Sequence, residues 1–108
     1  MVHPTHPTRP VTPVAILTQS LQRKRLARLA EAVSSHGIWA RVIDDGRPFL
    51  RVSNPQSEFA VEDITCERRG QGYVFVTSFG MYLGDCDDRS LRPSVERTAR
   101  LLGVELSN

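Results

Sequence analysis

The chain has 108 residues with 14 basic and 12 acidic side chains, a formal charge of +2 and 40% hydrophobic residues. That length fits one domain with a modest core and excludes a second. The charge is uneven: Arg9, Arg23, Lys24, Arg25 and Arg28 precede every acid, and all 12 acidic residues lie from Glu31 onward, so the basic character belongs to a tail and one helix and not to the domain.

The opening, MVHPTHPTRPVTP, holds four prolines and no apolar h-region, which is not the pattern of a signal peptide. In polyproline II geometry His3 and His6 fall on one side, but two imidazoles alone hold a metal weakly. Residues 1–13 are expected to be a disordered tail, since proline removes donors and nothing apolar is available to bury. Residues 14–108 form the expected domain. No later stretch reaches the roughly 18 consecutive apolar residues of a membrane span, and the chain is expected in the cytoplasm without membrane contact.

From about Ser20 to His36, Leu26, Leu29, Ala30 and Val33 recur at three- and four-residue steps, and Gly37 follows. This predicts an amphipathic helix with a glycine just past its end. The preceding Val14–Thr18 reads as an extra helical turn or a short strand. His36, near the helix C-terminus, is expected to cap it and not to act in catalysis.

After Gly37 the period changes to 2. Ile38–Ile43 and Phe49–Ser53 predict a hairpin about Asp44-Asp45-Gly46. Val61, Ile64 and Cys66 mark a third strand, Gly70-Gln71-Gly72 a turn, and YVFVTSF a fourth strand rich in β-branched and aromatic residues. GMYLGDCDDRS is expected to be a loop. A helix follows from about Ser90 to Leu102, with Pro93 in its first turn, Asp87, Asp88 or Ser90 as cap, and Gly103 after it. The predicted fold is therefore α+β: helix, four-stranded antiparallel meander, helix, with both helices on one sheet face.

RRGQGYVFVTSF invites comparison with the stacking strand of an RNA-recognition domain. Arg69, Gly70, Gly72, Tyr73 and Val74 fit that signature, but Gln71 and Val76 replace two stacking aromatics. Each lost stack removes about 1–3 kcal/mol per base, so the glycines read better as a hairpin turn. The acidic run Asp85-Cys86-Asp87-Asp88 fails as a calcium loop, because Arg89 and Ser90 stand where oxygen and glycine are required; carboxylates before a helix serve its positive end. Cys66 and Cys86 have no zinc-type spacing and read as two free thiols, with a disulfide as the alternative. No catalytic motif, metal site or cofactor is indicated.

Alternation places Tyr73, Phe75, Thr77 and Phe79 on one face of their strand and Trp39, Arg41 and Ile43 on one face of theirs. Aromatic residues beside arginine are what protein interfaces enrich. Trp39, Arg41, Arg51, Tyr73 and Phe75 are accordingly the expected partner contacts of a non-enzymatic, homodimeric binding module. Two other readings stand beside it. One is a small-molecule carrier or small enzyme with a pocket between helix and sheet near Cys66, Phe79 and Tyr82. The other is nucleic-acid binding through Arg23, Lys24, Arg25 and Arg28.

The runs HGIWARVIDDGRPFLRVSNP, YVFVTSFGMYLG and RTARLLGV, spanning His36 to Val104, resemble small actinobacterial proteins of unknown function commonly encoded beside helix-turn-helix regulators. Phe79 departs from the tryptophan common in that group. The resemblance implies an accessory or regulatory role. The order of helices and strands is also similar to small secretion chaperones, which dimerise and hold extended client segments.

Overall fold

The computed structural model describes residues 13–106, so the expected tail, apart from Pro13, and its two histidines lie outside the described residues. Two helices, α1 (Pro13–Ser34) and α2 (Arg92–Leu102), flank five strands: β1 (Trp39–Asp45), β2 (Arg47–Ser53), β3 (Val61–Arg69), β4 (Gly72–Thr77) and β5 (Tyr82–Asp85). The strands form one antiparallel sheet in sequence order. The α+β meander matches the sequence reading, with one strand more than expected.

Helix α1 begins at Pro13, where the missing N–H costs no helical hydrogen bond, so Val14–Thr18 is helical. Leu26, Leu29 and Val33 are completely buried along its inner stripe. The helix ends as His36 N–H and Gly37 N–H donate to the carbonyls of Val33 and Ser34 at 3.0 and 3.1 Å, and Gly37 takes a φ of 81° that favours glycine.

Both helices share one core with the sheet. It joins Leu26, Leu29 and Val33 of α1 to Leu50, Val52, Ile64, Cys66, Phe75 and Leu83 of the strands and to Val95, Ala99 and Leu102 of α2. Helix α1 packs on β1, β2 and β3, and α2 on β5 and α1. Among the described residues the other sheet face carries no helix. Cross-strand register sets its residues in rows: Trp39, Ser53 and Val61; Arg41, Arg51 and Asp63; Ile43 beside Phe49.

The segment expected to be a loop contributes β5. Four residues with an internal glycine give too little alternation to register as a strand, and a bulge opposite Phe75 and Val76 shifts the pairing. The bulge lets both Leu83, which is fully buried, and Gly84 face α2. Gly84 is required there because a Cβ would collide with the Ser94 hydroxyl. Helix α2 carries no side-chain cap at Leu91, and the Ser90 hydroxyl accepts the Arg92 N–H at 3.2 Å. Asp87, one of the aspartates expected as a cap, pairs instead with Arg25, and the neighbouring Asp85 accepts the Tyr82 hydroxyl.

Asn54 fastens the long β2–β3 connection. Its side chain accepts Gln56 N–H and donates to the Leu102 carbonyl, both at 2.9 Å. Its backbone N–H meets the Ala60 carbonyl.

Candidate interaction surface

Several exposed apolar side chains lie on the helix-free face or in the connections at one end of the sheet, besides Leu17, Leu21 and Leu101 on the helices. Trp39 starts β1 and is 67% exposed; Val61, opposite Ser53, is half exposed. Phe59 and Phe79, in the connections before β3 and after β4, are 89% and 63% exposed. The register Trp39↔Ser53↔Val61 and the Thr77–Met81 hydrogen bond put all four at one end of the sheet. Tightly packed monomers seldom leave such large apolar side chains together in water.

A cleft of about 670 Å³ wraps the outer side of β1, lined by Trp39, Arg41, Ile43, Arg51 and Ser53 on the open face and by Gly37 near the helix end. β1 is an edge of the sheet, and a seven-residue edge strand presents backbone donors and acceptors that another strand can take. The opposite edge is different: Arg97 donates to the Leu83 carbonyl at 2.8 Å and its guanidinium lies 5.7 Å from the Tyr82 ring.

Charge on this face is partly committed. Arg51 makes a two-point contact with Asp63, at 2.8 and 3.0 Å. That hydrogen bonding, with the attraction of the carboxylate, raises the Arg51 pKa above its ordinary value. Arg41 stands directly across from Arg51 and has no ion-pair partner among the described residues. Two like charges face each other there, an arrangement that favours an external carboxylate beside Arg41.

The expected contact residues divide between the two faces. Trp39, Arg41 and Arg51 share the open face, whereas Tyr73 and Phe75 belong to the helix-covered side. Phase explains the split: register pairs Phe75 with Cys66, and both are core residues, with Phe75 wholly buried. Phe75 is therefore not a surface contact. Tyr73 is half-buried beneath α1, its ring 4.5 Å from the Arg25 guanidinium carbon. Sequence reasoning missed Phe59, Val61 and Met81; the signal was large apolar residues in or beside polar connections.

Cys66, Phe79 and Tyr82 do not converge on a pocket. Cys66 lies in the core, Phe79 in an exposed turn, and Tyr82 on β5 with its hydroxyl donated to Asp85 at 3.0 Å. That hydrogen bond raises the Tyr82 pKa.

Three of the four basic residues named on α1 make contacts within the fold. Arg23 pairs with Asp44 at 3.2 Å and Arg25 with Asp87 at 2.8 Å. Arg28 donates to the carbonyls of Cys86, Asp88 and Arg89, fastening the segment before α2. Lys24 is exposed.

Among the described residues no group of three or more His, Cys, Asp or Glu gathers as a metal site, and no helix is long and apolar enough to cross a membrane. His36 keeps its place after α1, with Nδ1 buried and lacking a hydrogen-bond partner. No family model, no curated protein and no solved structure matches this chain.

Proposed function

We propose that this chain is a non-enzymatic accessory protein that binds protein through its open sheet face and β1 edge, and that it does so first as a homodimer. The observation that carries the reading is Trp39: a large aromatic two-thirds exposed on a helix-free sheet face, at the start of an edge strand and beside the unpaired charge of Arg41. Aromatic and arginine anchors next to an open strand edge are the elements of strand addition, in which backbone hydrogen bonds give affinity and side chains give selectivity.

Charge order along β1 supports a second copy as the occupant. Antiparallel pairing of two β1 strands about Ile43 sets Arg41 of one copy opposite Asp45 of the other, twice by symmetry. It also brings the two open faces into one continuous surface carrying both Trp39 side chains. The resemblance read in the sequence, to accessory proteins encoded beside regulators and in element order to dimeric secretion chaperones, would give such a module the task of holding a partner's extended segment.

Native mass spectrometry of the untagged chain tests this reading. A dimer of unmodified chains, converted to monomer by Arg41→Asp with the fold retained by circular dichroism, is the expected result; Trp39→Ala should leave the dimer and weaken partner capture. A monomer carrying a stoichiometric small molecule would replace the reading with that of a carrier.

A further inference from the structure

Cys66 and Cys86 are twenty positions apart in sequence, yet their Sγ atoms approach to 3.1 Å in the core, where the two residues are 2% and 1% exposed. Three contacts hold them there. The Gln22 side chain donates to the Cys66 carbonyl at 2.8 Å, Arg28 donates to the Cys86 carbonyl at 3.2 Å, and the Cys86 N–H donates to the Tyr73 carbonyl at 2.9 Å. Beside them the Arg25 guanidinium is clamped between Asp87 and the Tyr73 ring, with its Nη1 buried and lacking a hydrogen-bond partner.

We propose that Cys66 and Cys86 are a redox-active dithiol that a hydroperoxide converts to an intramolecular disulfide, joining β3 to the segment between β5 and α2. Neither thiol is spent on a metal or on catalysis in the function proposed above, and the inference does not depend on that function. The two sulfurs, 3.1 Å apart, need to close to about 2.05 Å for the bond to form.

The two sulfurs are not equivalent. Either S–H can be the donor in their contact; the hydrogen bond with Cys86 favours ionisation of Cys66, burial opposes this, and the charge of Arg25 assists it. Cys66 therefore titrates below an ordinary thiol, and Cys86, through the same hydrogen bond and its burial, above it. The Cys66 thiolate attacks one oxygen of the hydroperoxide. The O–O bond breaks, an S–O bond forms, and the leaving oxygen departs as water or alcohol after taking a proton. Cys86 then attacks the Cys66 sulfenic acid: the S–S bond forms, the S–O bond breaks, and water leaves with the Cys86 proton. Two thiols give up two electrons to one hydroperoxide, which is reduced at the O–O bond.

Access is through the gap between β2 and β3. Their pairing stops at Leu50↔Ile64, and Pro48 brings no N–H to continue it. The gap is a recess of about 250 Å³ whose wall includes Gln22, Pro48, Phe49, Thr65 and Cys66. The recess has room for a small hydroperoxide, and the burial of both cysteines disfavours a bulky disulfide as oxidant.

The test treats the reduced full-length chain with hydrogen peroxide, then denatures and alkylates it. Before peroxide the chain should accept two alkyl groups. Afterwards it should accept none, weigh two hydrogens less, remain monomeric on a non-reducing gel, and yield a peptide joining Cys66 to Cys86. A dithiol reductant should reverse the change. Closing a loop of this size should raise Tm by on the order of 10 °C. Cys86→Ala should accumulate a Cys66 sulfenic acid that a dimedone probe captures, and wild-type peptide mapping decides the matter should that variant not fold. Two free thiols after peroxide, separate sulfinic acids at both positions, or a cross-link between chains would overturn the proposal.

Discussion

Arg25 and Tyr73 stack, the guanidinium carbon 4.5 Å from the ring centre, and this one contact takes a residue from each of two functional readings. Tyr73 is held beneath α1, away from the open face, and Arg25 is held against the sheet, away from any phosphate. Asp87 completes the arrangement by accepting from Arg25 Nε at 2.8 Å. The three residues form a structural clamp between α1, β4 and the segment entering α2.

Removing Tyr73 should therefore act on stability. Tyr73→Ala deletes a half-buried ring and its cation–π partner, and the expected loss is about 2 kcal/mol. Arg25→Ala should cost about 1 kcal/mol, because its ion pair is partly solvated. Urea denaturation of both variants and of the double variant checks this, and the double-mutant cycle should return a coupling of about 0.5–1 kcal/mol. Full additivity would show that the stack is energetically idle.

Gly84→Ala should be among the more damaging single-methyl additions in this chain. The new Cβ meets the Ser94 hydroxyl, and overpacking of this kind costs roughly 1–3 kcal/mol. Thermal denaturation reads the loss directly. Gly46→Ala is the control: a Cβ there meets nothing within 4 Å, although φ of 82° makes it strained, so its loss should reflect backbone strain alone, about 1 kcal/mol.

Alternation in the sequence shows which residues share a strand face, but it is silent on which face the helices cover. Val74 and Val76 on one side of β4 and Phe75 on the other are all buried, so hydrophobicity does not separate the two sides and Tyr73 and Trp39 could be grouped on one surface. The helices were legible because Leu26, Leu29 and Val33, and Val95, Ala99 and Leu102, keep a period near 3.6 over several turns. β5 was not, since four residues, a bulge and a glycine leave no pattern. The Cys66–Cys86 approach was equally hidden, because separation in sequence carries no information on distance across a sheet.

Tyr82 provides a pH-dependent signal. Its hydroxyl donates to Asp85, and this hydrogen bond, with the carboxylate charge, raises its pKa. The neutral phenol is the form favoured by folding. Its contribution is complete below the ordinary tyrosine range and is lost as pH rises through the elevated pKa. Absorbance titration of the native chain, which has two tyrosines, should show an ionisation above the ordinary value near 10 that disappears in Tyr82→Phe. Asp85→Asn should return it toward the ordinary value.

The central claim is that β1 and the open face bind another chain, and sedimentation equilibrium with a charge exchange on β1 tests it most directly. Arg41 and Asp45 are both exposed, so substitution at either should leave the fold intact. The wild type is predicted to be a dimer, Arg41→Asp a monomer, Asp45→Arg a monomer, and the double exchange a dimer again. A wild-type chain that stays monomeric at every concentration, or a dimer that Arg41→Asp leaves untouched, would contradict the account.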